Sequence, residues 1–322
     1  MKKVEIKHLN QQVSVIGLGT MIFHPDNKKD LAYRLLDAFV EHGGNLIDTA
    51  EIYGDPEEYG YSELTIGKWL SERKNRDQVI ILTKGCIPGT CIPIHSSGST
   101  ISPDGIKNAI TGSLKRLQTD YLDIWMLHRD ETKVHVGEII ETLNEQVFAG
   151  NIRSFGASNW SVQRINEANL YAQAHGLKGF SCASPHFSLA VAKEPYWPDT
   201  VITVERDRAW YRTNQFPLFA WSSLGRGFFS RGSQEYSGDP ELVRVFYSDD
   251  NFERLERARQ LGARKGVNAI EIALAYVVNQ DFPAIALMGP ATVDELTTNI
   301  NAAKIELTEK ELNWLDLKSG TL

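Results

Sequence analysis

A closed α/β barrel, the (β/α)8 or TIM-barrel fold, with an N-terminal β-hairpin and extra helices, is predicted for this 322-residue chain. Three observations predict it. Short apolar runs alternate with segments of helical period, the pattern of βαβ units and a parallel sheet. The runs number eight, which suits a closed barrel with insertions. Titratable residues stand at the ends of consecutive runs, on the side where such barrels carry their sites.

The runs, in order, are Val13–Gly17, Asn45–Ile47, Val79–Thr83, Leu122–Leu127, Ile152–Gly156, Gly179–Ala183, Leu218–Trp221 and Ala284–Met288. Ahead of them, Val4–Ile6 and Val13–Val15 alternate like a hairpin able to plug the barrel bottom, so Val13–Gly17 is shared between hairpin and first barrel strand. Ile106, Ile110, Leu114 and Leu117 fall on one helical face, opened by Ser102 as N-cap and Pro103 at the first helical position. Further helices are expected over Phe252–Gln260 and Ala269–Asn279, and Thr308 with Glu311 forms a capping box opening a last helix through Leu315. Three stretches interrupt the rhythm: Gly85–Thr100, Pro185–Asp199 with Tyr196 and Trp197, and Gly225–Pro240 with Arg226, Phe228, Phe229 and Arg231. Each follows an inferred strand and is expected as a loop on the C-terminal face. No linker or composition break divides the chain, so residues 1–322 are expected to form one barrel domain.

Composition narrows the function. The net charge of -7 argues against a nucleic-acid binder. The cysteines, Cys86, Cys91 and Cys182, form no CxxC pair, which points to a reducing compartment, inert thiols and no structural zinc. No signal-like N-terminus and no run of about 18 apolar residues is present, so a cytoplasmic protein without a membrane span is expected. Asn159-Trp160-Ser161 is then a chance match to a glycosylation acceptor.

The second run leads to Asp48, with Tyr53 in the loop behind it; the third leads to Lys84 and the fourth to His128. Any one of them alone reads as a cap or a solvated polar group. Together, at consecutive strand ends, they form a coherent acid–base set. A phenol ionises near pH 10 and is a poor acid at neutral pH. An ammonium at Lys84, held by Asp48, is expected to lower that value. Tyr53 then exchanges a proton with a carbonyl or alcohol oxygen, which His128 orients. A cofactor supplies the hydride.

At these residues the chain resembles the aldo-keto reductases, from Val15 to about Asn299. The resemblance rests on Gly17-Leu18-Gly19-Thr20-Met21, the stretch from Asn45 to Gly54, Ser62-Glu63 with Gly67, Thr83-Lys84, the stretch from Tyr121 to His128, Gly156-Ala157-Ser158-Asn159, and the stretch from Gly289 to Asn299. It implies a nicotinamide-dependent (β/α)8 oxidoreductase with Asp48, Tyr53, Lys84 and His128 as its catalytic tetrad. It also implies cofactor contacts at Gly19, Thr20, Met21 and Asp48. Ser158 and Asn159 match the pair on the nicotinamide carboxamide, and Trp221 the ring that stacks on the nicotinamide. Ser222, Ser223, Leu224 and Gly227 match the loop around the pyrophosphate. Gly289, Thr292, Glu295 and Asn299 match the adenosine end, where a helix N-terminus faces phosphate.

Two departures stand out. Ser184 occupies the position usually held by glutamine beside the nicotinamide. Residues 289–295 contain no base to pair with a 2′-phosphate and include Glu295, which would repel that phosphate or bond ribose hydroxyls. NAD(H) is therefore expected to serve at least as well as NADP(H), with Arg226 or Arg231 as the remaining candidates for a 2′-phosphate. Rival readings fit less. The Gly17-x-Gly19 pair has Ile22 at the third glycine position of a Rossmann fingerprint, and His128-Arg129-Asp130 lacks every other kinase motif. A nucleotide-binding regulatory or sensor barrel with little turnover is opposed by the complete tetrad. The substrate is expected to be a small carbonyl or alcohol, with a sugar in view. The pocket candidates are Phe23, Trp125, Arg129, Tyr196, Trp197 and Phe228. The chain ends soon after its last helix, so the pocket is expected to be open or closed by a neighbouring subunit.

Overall fold

Two short antiparallel strands, β1 (Lys3–Val4) and β2 (Val13–Ser14), precede a barrel of eight parallel ones. These are β3 (Ile16–Gly19), β4 (Leu46–Asp48), β5 (Ile80–Gly85), β6 (Leu122–Leu127), β7 (Ile152–Ser158), β8 (Ala183–Ser184), β9 (Leu218–Ala220) and β10 (Ala284–Met288). Each pairs with the next, and β10 pairs back onto β3. The computed structural model describes residues 1–23, 29–54, 59–88 and 101–322. Cys91 and most of the Gly85–Thr100 stretch lie outside the described residues.

Helices α1 (Lys29–Glu41), α2 (Tyr61–Arg73), α3 (Pro103–Leu117), α4 (Val136–Phe148), α5 (Val162–Ala174) and α6 (Glu205–Asn214) follow the first six barrel strands in turn. After β9 come α7 (Phe228–Arg231), α8 (Pro240–Phe246), α9 (Asp249–Lys265) and α10 (Ala269–Val278); α11 (Val293–Asn301) and α12 (Glu309–Leu315) close the chain. No described helix is long and apolar enough to cross a membrane.

The alternation of side chains along a strand sorts the core into two. Leu46, Ile80, Leu82, Ile124, Met126, Cys182, Phe219, Ile285 and Leu287 fill the barrel interior, whereas Ile47, Ile81, Trp125, Phe155, Ala183 and Ala220 belong to the layer under the helices. The hairpin does plug the barrel: Ile6 and Val13 join the interior cluster. Asn45 docks it, accepting from Ser14 N–H at 2.8 Å and donating to the Gln12 carbonyl at 2.9 Å. One run thus serves two sheets, with β2 ending at Ser14 and β3 beginning at Ile16.

Several boundaries differ from the sequence reading. β5 and β7 run on to Gly85 and Ser158, because their last inward residues are polar and the apolar pattern stops before the ladder does. The sixth run pairs regularly only at Ala183–Ser184, not from Gly179. The side chain of Asn169 takes the Phe180 N–H at 2.7 Å, and the Ser154 and Ser181 hydroxyls pair at 2.6 Å, so side chains replace ladder bonds there. α9 starts three residues before Phe252, because Ser248 caps it through Asn251 N–H and Asp249 and Asp250 suit its positive end. The Gly225–Pro240 stretch is not one loop. It contains α7, and Pro240 is the first residue of α8, capped by Asp239.

A contact between α2 and α3 yields the first prediction. A methyl group at Gly67 would lie 2.4 Å from the Arg116 carbonyl oxygen and 2.8 Å from the Leu117 carbonyl carbon. In an open helix, glycine to alanine stabilises by roughly 1 kcal/mol. Here backbone atoms block the methyl, so Gly67→Ala is expected to destabilise by about 1–3 kcal/mol. Thermal melting checks this; an unchanged or raised Tm would refute the contact.

Candidate active site

The inward-facing positions at the C-terminal ends of the eight barrel strands, or one residue beyond them, are in order Gly19, Asp48, Lys84, His128, Ser158, Ser184, Trp221 and Gly289. Each lies two residues beyond an inward position of the barrel core: Gly17, Leu46, Leu82, Met126, Gly156, Cys182, Phe219 and Leu287. The pleat therefore brings together, at one mouth, residues that the sequence spreads over 270 positions.

Lys84 is 2% exposed and Asp48 4%. The Lys84 Nζ donates to Asp48 Oδ1 and, at 2.9 Å, to the Thr49 carbonyl. It also sits 5.1 Å from the centre of the Tyr53 ring and hydrogen-bonds the phenol. Burial works against the ammonium, but Asp48 and Tyr53 outweigh it and hold Lys84 above the ordinary lysine range. Behind this pair, hydroxyls form a brace: Thr20 bonds the Asp48 carbonyl at 2.9 Å, and Ser62 reaches Thr20 at 2.6 Å and Thr49 at 2.9 Å. The Tyr53 backbone is held at both ends, its N–H by the Ala50 carbonyl and its carbonyl by Ser62 N–H.

The expected lowering of the Tyr53 phenol is corrected. Burial, the largest influence, pushes its pKa up; Lys84 offsets this only in part, and Asp48 adds to the rise. The phenol therefore keeps its proton at neutral pH, the form needed to donate one. His128, edge-on to Tyr53 with ring centres 5.9 Å apart, is shifted the other way. Burial, then Lys84 and Arg129, push its pKa well below the usual histidine value, so the imidazole is neutral. Its Nδ1 is buried with no partner among the described residues. Arg129 is half-buried, donates to the His128 carbonyl at 2.9 Å, and lies close enough to Tyr53 for their charges to interact.

Asn159, in left-handed backbone with φ of 59°, knits the next part of the mouth. Its Nδ2 donates to Ser158 Oγ at 3.0 Å and the His128 carbonyl at 3.3 Å, and its Oδ1 accepts the Trp221 indole N–H at 3.1 Å. Trp197 lies 5.7 Å from Trp221, and the Arg226 guanidinium covers both Tyr196 and Trp197 at 4.9 and 5.1 Å. Met21, Ser222 and Leu224 are half-buried at the rim.

Some sequence candidates are differently placed. Trp125 is corrected: it differs in parity from His128, points outward, and is fully buried under the helices. Phe228 is likewise fully buried, packed among Phe229, Phe246 and Phe252, and Phe23 is 3% exposed within the outer core. The hydroxyl donors of Thr20, Ser184 and Ser223 are engaged inside the protein, on the carbonyls of Asp48, Phe219 and Leu287. Thr20 is fully buried with its N–H also on Asp48, so it braces Asp48 rather than facing the mouth. Glu295 turns back on its own helix, accepting Ala291 N–H at 2.8 Å, while Thr292 caps α11 through Glu295 N–H and Asn299 lies buried in the same helix. Arg231 pairs with Asp239 at 3.4 Å. The sequence reading missed the Thr49 carbonyl on Lys84, because a main-chain acceptor leaves no residue-type signal.

A parallel barrel with buried titratable groups converging at its C-terminal mouth defines the class of (β/α)8 enzymes. Comparison places it more narrowly. The sequence model of the Aldo/keto reductase family matches residues 15–319. The chain is 30% identical over 317 residues to a norsolorinic acid reductase of Aspergillus flavus, covering 95% of this chain and 77% of that one. It is 30% identical over 348 residues to protein tas of Escherichia coli K12, covering 97% and 96%. It is 28% identical over 311 residues to the uncharacterized oxidoreductase YrpG of Bacillus subtilis, covering 95% and 92%. The chain belongs to the aldo/keto reductase family and is an oxidoreductase. Members of this family generally use NAD(P)(H) and act on small carbonyl substrates.

Proposed function

We propose that residues 1–322 act as one barrel enzyme interconverting an aldehyde or ketone and its alcohol, with Tyr53 as the proton donor and acceptor. The observation that carries the reading is the Lys84–Asp48 ion pair under the Tyr53 ring with a neutral His128 at its edge. In reduction, the protonated phenol gives its proton to the carbonyl oxygen, and the Lys84 ammonium stabilises the phenolate left behind. Asp48 holds that ammonium charged and in place. His128 donates one N–H to the substrate oxygen and orients it, and Arg129 stands beside the same position. The reductase name of the Aspergillus flavus relative favours the reductive direction.

A nicotinamide dinucleotide, when bound, supplies or accepts the hydride. The residues fit such a group. Gly19 presents no side chain beside Asp48, and a methyl there would lie 3.9 Å from the carboxylate. Ser158 and Asn159 would hold the carboxamide, with Trp221 against the ring. Ser222, Gly225, Arg226 and Gly227 all have left-handed backbone, a form that curls a chain around an anion. The adenosine end would lie at Gly289, Thr292, Glu295 and Asn299.

We read the cofactor preference as NAD(H). The first turn of α11 carries Asp294 and Glu295, Arg231 is paired with Asp239, and Arg226 lies over two aromatic rings. A 2′-phosphate brings roughly two negative charges to the acidic end. The expected kcat/KM with NADH exceeds that with NADPH by about tenfold, since like charges disfavour the wrong partner. Following the loss of reduced-nicotinamide absorbance with a panel of aldehydes, ketones and sugars measures both; a preference for NADPH would overturn the cofactor assignment. Nucleotide binding without turnover on any carbonyl would favour a regulatory barrel instead.

A further inference from the structure

A cavity of about 220 Å³ lies on the flank of the barrel, bounded by the segment after β8 and by α6, α9 and α10. Its walls include His186, Thr203, Arg208, Arg254, Tyr276 and Asp316. None of the residues assigned above to the substrate or the cofactor lines it.

Unsatisfied polar groups concentrate there. Both ring nitrogens of His186, the Thr203 hydroxyl, and the Nε atoms of Arg208 and Arg254 are buried without a hydrogen-bond partner among the described residues. Each arginine Nε is a donor, the Thr203 hydroxyl can donate, and the neutral His186 ring offers one N–H. A buried donor left unpaired costs about 1–3 kcal/mol, so this cluster calls for acceptors.

Charge defines the acceptor. Arg208 pairs with Asp316 at 2.7 Å and Glu205 at 3.1 Å, and Lys318 reaches the same two carboxylates at 3.1 Å each. Tyr276 donates its hydroxyl to the other Asp316 oxygen at 2.5 Å. These carboxylates are therefore already engaged. Arg254, only 8% exposed, forms no ion pair with any described residue; its Nη1 donates to Asn251 Oδ1 at 3.3 Å. Asp250 and Asp316 act on it only through space, and burial draws its guanidinium below the ordinary arginine range. A buried guanidinium without a counter-ion is strongly unfavourable, and an oxyanion matches both its charge and its planar fork.

We propose that this cavity is a binding site for a small oxyanion, a carboxylate or a phosphate, which supplies the missing counter-charge to Arg254 and accepts from Thr203 and His186. The site shares a wall with the mouth: the His186 ring packs on Trp221 with centres 5.0 Å apart.

Isothermal titration calorimetry near neutral pH and at constant ionic strength, with inorganic phosphate in one arm and succinate in the other, tests the assignment. One arm is expected to show saturable binding at one site, and the arm that does so identifies the chemistry. Arg254→Met is expected to weaken that binding at least about tenfold, and Thr203→Val about threefold, as loss of a charge-assisted and a neutral hydrogen bond respectively. Thermal melting gives an independent reading. Without added anion, Arg254→Met is expected to raise Tm by removing an unpaired buried charge, and the anion-induced rise of the unsubstituted protein is lost in this variant. The proposal is overturned by absence of saturable binding in both arms, by binding that survives both substitutions, or by a fall in Tm for Arg254→Met.

Discussion

Tyr53→Phe is expected to lower kcat for carbonyl reduction by about 10²–10⁴-fold, the usual contribution of a positioned acid. The substitution removes one oxygen and keeps the ring, so the edge contact with His128 and the Lys84 cation over the ring survive. Affinity for the reduced nucleotide, read by fluorescence titration, is expected to change less than about twofold, because the loss falls on the transition state. The pH profile supplies a second check. Burial holds the Tyr53 phenol above its ordinary value and the His128 imidazole well below its own. Neither group then titrates between roughly pH 6.5 and 10, their ordinary values. Reduction is expected to be level across that window, falling only as pH rises through the Tyr53 value. Turnover unchanged in Tyr53→Phe would overturn the assigned chemistry, and an inflection near the ordinary histidine pKa would contradict a neutral His128.

Lys84→Met has the second large effect, because it acts on stability and activity by separable routes. The ammonium is the ion-pair partner of Asp48, 4% exposed, and its removal leaves a carboxylate with no counter-charge in a buried place. Breaking a buried pair from one side costs about 3–5 kcal/mol. Asp48→Asn combined with Lys84→Met removes both charges, so most of that stability is expected to return in urea unfolding while reduction remains impaired by about 10²-fold or more. The single variant should also lose less stability at low pH, where the isolated Asp48 protonates; burial already pushes its carboxyl up. A double variant as unstable as the single one would show that the loss does not come from an uncompensated Asp48 charge. Full activity in Lys84→Met would remove it from the reaction.

Local patterns carried much of this protein. The eight apolar runs predict the eight barrel strands, and the Ser102-Pro103 and Thr308–Glu311 caps stand where expected. Strand ends predict the mouth, because a period of two continues from Leu46, Leu82 and Met126 to Asp48, Lys84 and His128. The same period excludes Trp125, one residue out of phase, so that misplacement was legible. Boundaries were less so. Apolar character fades where a strand reaches the polar mouth, as at Lys84 and Ser158, and side chains such as Asn169 take ladder bonds that composition cannot reveal.

What the sequence by itself determined is the barrel and the set of residues at its mouth, since these follow from periodicity and spacing along the chain, and the family, through the motifs it resembles. What only the tertiary structure decided is how their charges balance. Burial lifts the Tyr53 phenol despite Lys84, Glu295 folds back on Ala291, and Arg254 is enclosed with no ion-pair partner among the described residues and its Nε unbonded. Desolvation and pairing depend on which atoms are excluded from water together, and those atoms come from segments far apart in the chain.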